Sequence, residues 1–104
     1  MEFSKIEDTS QMTPSELSDY RLKVSVEYAF WSDRLAEIIS RKAPTWMKLR
    51  ENSKSDKATD RAWECTEDGV NETSIRQRLK GWEKLLSGLN TRITVLQGES
   101  RNLF

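Results

Sequence analysis

The chain has 104 residues, 33% of them charged, with 17 basic and 17 acidic side chains, no histidine and one cysteine. At this length it is one domain at most, and a net charge of zero removes the simplest electrostatic case for nucleic acid or an anionic membrane. Cys65 alone excludes an internal disulfide and a cysteine-rich zinc site, and without histidine the familiar hydrolase triads are absent.

Residues 1–12 are polar and lack a period, which predicts a flexible N-terminal arm in which Phe3 and Ile6 are loosely held. Its acidic start (Glu2, Glu7, Asp8) is unlike a signal peptide, and no apolar run approaches the roughly 18 residues of a spanning helix. The expectation is a soluble, cytoplasmic protein that does not engage a membrane.

Thr13, Pro14 and Glu16 form a capping-box signature that opens a helix at Pro14. Leu17, Val24, Tyr28, Trp31, Leu35 and Ile38 then line one face, with Tyr20 and Ile39 beside it. Pro44 lacks the N–H that a helix ladder needs, so a helix over 14–43 is expected to break there and resume over 45–51. A turn at 52–55 leads to a short, charged helix over 56–68, capped by Ser55 and ended by Gly69 in a left-handed conformation. The last helix is expected over 73–97, capped by Asn71, Thr73 or Ser74, with residues 99–104 as a tail. Gly81 and Gly88 within it suggest the close approach of another backbone, and Gly98 its end.

Along that last helix Ile75, Leu79, Trp82, Leu86, Leu89, Ile93 and Leu96 recur at intervals of 4, 3, 4, 3, 4 and 3. So narrow an apolar stripe needs a partner, and the stripe from Leu17 to Ile38 matches it. The predicted fold is therefore all-α: a long antiparallel helical hairpin over 13–98 with a short connecting helix. At 100° per residue, Leu22, Val26 and Ala29 fall roughly opposite Val24 and Trp31, with Phe30 between the two faces. A second apolar face on a surface helix predicts a protein interface at Leu22, Val26, Ala29 and Phe30, most simply that of a homodimeric four-helix bundle.

The candidates for chemistry are few. Asp56, Asp60, Glu64 and Asp68 lie four apart, but one helix face is a poor cage for a hard cation, and a solvated acidic face explains them better. Cys65 has no partner in the sequence and is expected to be a packing residue. No metal, cofactor or catalytic residue is expected. Chorismate mutases are small helical enzymes that also begin with a long arginine-bearing helix. Arg34, Arg41, Lys42 and Arg50 do not match that family's cationic spacing, and the final helix lacks its glutamine-bearing pattern. Nucleic acid is the more serious rival. Seven bases against three acids give residues 21–50 a net +4, and six against three give residues 71–104 a net +3. A hairpin would gather Arg41, Lys42, Lys48 and Arg50 near Arg76, Arg78 and Lys80, with Trp46 and Trp63 able to stack on bases. Seven acids share that region, so core-filling tryptophans under a mixed-charge surface are preferred.

Two stretches, Lys54-Ser55-Asp56-Lys57-Ala58-Thr59-Asp60-Arg61-Ala62-Trp63-Glu64 and Thr91-Arg92-Ile93-Thr94-Val95-Leu96 with Glu99, Arg101 and Asn102 after it, carry a resemblance. Together with the Tyr28 to Leu35 region they look like small helical proteins encoded by tailed bacteriophages. The resemblance implies a bacterial host cytoplasm and a role in phage recombination, replication or interference with host defence. It carries no catalytic motif with it. The expected function is a non-catalytic protein-binding factor, plausibly an inhibitor of a host or defence protein. The alternative is an accessory protein for phage DNA recombination or replication that contacts single-stranded DNA.

Overall fold

Thr13 and Glu16 exchange both bonds of the capping box: the Glu16 N–H donates to Thr13 Oγ1 at 3.2 Å, and the Thr13 N–H donates to the Glu16 carboxylate at 3.3 Å. The computed structural model describes residues 2–102, with side chains as far as Gly98. From the capping box α1 runs as Pro14–Glu51, followed by α2 (Asp56–Glu64) and α3 (Glu67–Asn102). The described residues form no strand, so the chain is all-α as expected.

α1 runs through Pro44 without a break. Proline removes one ladder bond and crowds the preceding turn, at about 3 kcal/mol in a helix interior. Side-chain bonds tie α1 down on both sides of it. Arg41 and Lys42 bond Asp68 and Glu72 before the proline, and Trp46 and Arg50 bond Asp60 and Asp56 after it. Pro44 itself is exposed, which leaves the bereft carbonyl open to water.

Ser55 caps α2 as expected, accepting the Ala58 N–H at 3.1 Å from an extended backbone. The α2–α3 junction differs from the expectation. α2 ends at Glu64, and Thr66 rather than Asn71, Thr73 or Ser74 caps the last helix. The Thr66 hydroxyl accepts the Gly69 N–H at 3.0 Å and donates to the Trp63 carbonyl at 2.6 Å. Glu67 and Asp68 in the first turn complement the positive end of the helix dipole. Gly69 is thus helical, and no described residue has a positive φ. It is glycine for want of space: a Cβ there would lie 1.9 Å from the Trp63 carbonyl oxygen. Gly81, Gly88 and Gly98 have nothing within 4 Å of a Cβ among the described residues, so no backbone approaches them. α3 also continues past Gly98, making 99–102 helical rather than a tail; Leu103 and Phe104 lie outside the described residues.

The chain divides into two compact units, one formed by Met1–Ala29 with Lys80–Phe104 and the other by Phe30–Leu79. In the first, Leu17, Tyr20 and Val24 of α1 and Trp82, Leu89 and Ile93 of α3 are buried, with Tyr28, Leu86 and Leu96 half-buried. The two helices are antiparallel there, since Arg21 bonds Asn90 and Tyr28 bonds Glu83. The arm is bound to this unit rather than loose. Phe3 meets Trp82 edge-on, Ser4 donates to Glu27, the Glu7 N–H donates to the Tyr20 hydroxyl, and Arg92 donates to the carbonyls of Thr9 and Ser10. Ile6 stays exposed.

In the second unit Trp31 and Ile38 of α1, Thr59 and Trp63 of α2, and Ile75 and Leu79 of α3 are buried. Trp46–Asp60 and Arg50–Asp56 run in opposite directions along α1 and α2, so these two helices are antiparallel. Cys65, expected to pack, is exposed at the end of α2.

Candidate protein-binding surface

The inward stripe of α1 leaves its reverse face without cover. In the first unit Leu22 is 65% exposed and Val26 62% exposed, one helical turn apart, and Ala29 is exposed beside them. The docked arm does not bury them, because its partners Tyr20, Lys23 and Glu27 lie elsewhere around α1. Covering what is left of these aliphatic side chains is worth about 1–2 kcal/mol each. Beside them Arg21, Leu22 and Ser25 of α1 and Leu86 and Asn90 of α3 line a groove of about 340 Å³. An Arg21–Asn90 hydrogen bond of 3.0 Å links its two walls. Phe30, expected on the same surface, belongs to the second unit. Its ring packs edge-on against Trp31 at 5.2 Å, and the Arg34 guanidinium lies 5.4 Å from its centroid.

Most residues of the basic group lie in the second unit, where carboxylates meet them. Arg41 makes a two-pronged bond with Asp68 at 3.2 and 3.0 Å, which raises the arginine pKa and holds the Asp68 carboxyl below its usual range. Lys42 bonds Glu72 at 3.2 Å, and Arg76 approaches the same carboxylate at 3.7 Å. Glu72 is buried, which two cations make tolerable. Arg50 bonds Asp56 at 2.8 Å. Arg78 is also engaged, and Lys48 is exposed. Lys80 belongs to the first unit.

The two tryptophans of the group differ in what they leave open. Trp63 is 2% exposed, with the Lys42 ammonium 5.4 Å from its ring centroid. Trp46 is half-buried and donates its indole N–H to Asp60 at 2.8 Å. Three of the four residues in the acidic row are engaged: Asp56, Asp60 and Asp68 serve Arg50, Trp46 and Arg41.

A second apolar groove escaped the sequence reading. Ile39, Lys42, Ala43, Trp46 and Met47 of α1 line about 460 Å³ in the second unit, with Met47 well exposed. Its signal was the i, i+4, i+8 spacing of Ile39, Ala43 and Met47, which an assumed break at Pro44 concealed. No described helix is long and apolar enough to cross a membrane. Comparison of the chain with protein-family models, curated proteins and solved structures returns no match.

Proposed function

We propose that this chain is a non-catalytic, phage-type factor that acts by binding protein through the reverse face of α1, pairing first with a second copy of itself. The observation that carries the reading is the pair Leu22 and Val26, both large, aliphatic and more exposed than not, on a helix whose opposite face is fully used by the fold. A chain of zero net charge also raises no long-range repulsion between copies. The phage context, and interference with a host or defence protein as its purpose, rest on the resemblance described above. Nucleic acid is the weaker reading, because Arg41, Lys42, Arg50 and Arg76 are met by carboxylates and Trp63 is buried.

Replacing Leu22 and Val26 together by Glu tests the proposal. The double variant is expected to keep the helical circular-dichroism signal of the parent. Tagged chain is expected to capture host protein from a bacterial extract, and the variant to fail to capture it. Equal capture by both chains would move the working surface elsewhere. Salt-sensitive binding of the parent to a single-stranded oligonucleotide, lost in Arg76→Ala/Arg78→Ala, would favour the DNA reading instead.

A further inference from the structure

The arm is held in an unusual way for a terminal segment. Residues 2–9 have neither helix nor strand, and α1 and α3 hold them through side chains. Two of those side chains address the arm's backbone. The Tyr20 hydroxyl accepts the Glu7 N–H at 2.9 Å, while Arg92 donates to the Thr9 carbonyl at 2.6 Å and to the Ser10 carbonyl at 3.0 Å. The remaining contacts read side chains: Phe3 stands edge-on to Trp82 with centroids 6.1 Å apart, Ser4 bonds Glu27, and Lys23 meets Glu7 at 3.5 Å. Backbone contacts that position, with an aromatic anchor and a charge that select, are how grooves bind extended peptides.

We infer that Tyr20, Lys23 and Glu27 of α1 with Trp82 and Arg92 of α3 form a binding groove for an extended acidic peptide with an aromatic anchor, and that the chain's own arm occupies it as a detachable ligand. The chemistry defines the occupant. An aromatic side chain enters against Trp82, and an acidic residue four positions later offers its N–H to Tyr20 and its carboxylate to Lys23. Carbonyls two and three positions further on accept from Arg92. The arm fits in charge as well: Glu2, Glu7 and Asp8 against Lys5 face Lys23 and Arg92, and the one acid among its partners, Glu27, is met by the Ser4 hydroxyl. Releasing it breaks no hydrogen bond of the helix ladders, so opening is a local event. While tethered, the arm competes at an effective concentration on the order of millimolar, which keeps other peptides out. Leu22 and Val26 take no part, so this site stands or falls separately from the protein-binding surface proposed above.

The test uses the full chain and a labelled peptide with the sequence Glu2–Met12. The variant Phe3→Ala/Glu7→Pro removes the arm's anchor and its donor to Tyr20 while leaving every groove residue in place. Fluorescence anisotropy is expected to show the variant binding the peptide at least about tenfold more tightly than the wild-type chain. Adding Arg92→Met to the variant abolishes that gain. Equal or absent binding to both chains at about 1 mM peptide overturns the inference. Loss of helicity in the arm variant overturns it too, because the arm would then be core rather than ligand. On the wild-type chain, the Glu7 amide exchanges with solvent at least about a hundredfold faster than that of buried Leu89; equal protection of the two contradicts a detachable arm.

Discussion

Gly69 and Gly88 are both helical glycines, and they are expected to respond in opposite ways to the same added methyl group. At Gly69 a Cβ would collide with the Trp63 carbonyl, part of the backbone and unable to swing aside. Gly69→Ala therefore costs about 3 kcal/mol in denaturant unfolding, near the upper end for overpacking. At Gly88 a Cβ meets nothing, so Gly88→Ala stabilises by about 0.5–1 kcal/mol through a less flexible unfolded chain. Asp68 supplies a prediction in pH. Its hydrogen bonds from Arg41 lower its folded pKa below the ordinary 3.8, so the unfolded chain binds that proton more tightly. The resulting stability is complete above the ordinary value and is lost as pH falls through the lower, folded one. Asp68→Asn should accordingly be less stable than the parent at neutral pH, with the gap closing in acid unfolding curves below about pH 4. A gap that widened on acidification would contradict the assignment.

The helices show which local signals hold up against tertiary contacts. Where a signal depends on a few adjacent residues, as at the Thr13 box and the Ser55 cap, structure and sequence agree. The two apolar stripes also agree, because helical periodicity alone decides which side chains share a face. Pro44 misled because its local cost is opposed by bonds from α1 to α2 and α3, which no window of α1 reveals. Pro44→Ala is thus expected to leave α1 in place and to raise stability by about 1–3 kcal/mol, seen as a higher denaturation midpoint. The Thr66 cap is hidden in the sequence because Gly69 resembles a helix end, whereas glycine is required there by a carbonyl six residues away in another helix. Removing that cap by Thr66→Ala should cost about 1 kcal/mol. The arm was illegible for a related reason. It has no period, and its partners Tyr20 and Arg92 lie 13 and 83 residues from the positions they hold.

At the scale of the whole molecule, what the chain offers a partner is largely what its folding leaves uncovered. The reverse face of α1 was legible in the sequence because Leu22 and Val26 lie opposite a stripe that must be inside. The fate of the basic group was not, because Arg41 and Lys42 meet Asp68 and Glu72 some 27 and 30 residues further along the chain. Those pairings replace a basic patch by a neutral, mixed-charge surface, and attention returns to the apolar face. Two copies are proposed to meet there. Light scattering of the purified chain over a range of concentrations tests it most directly. A molar mass of about 24 kDa, twice the 12.1 kDa of one chain, is expected for the parent and 12.1 kDa for Leu22→Glu/Val26→Glu. A parent that stays at 12.1 kDa at every concentration would contradict it.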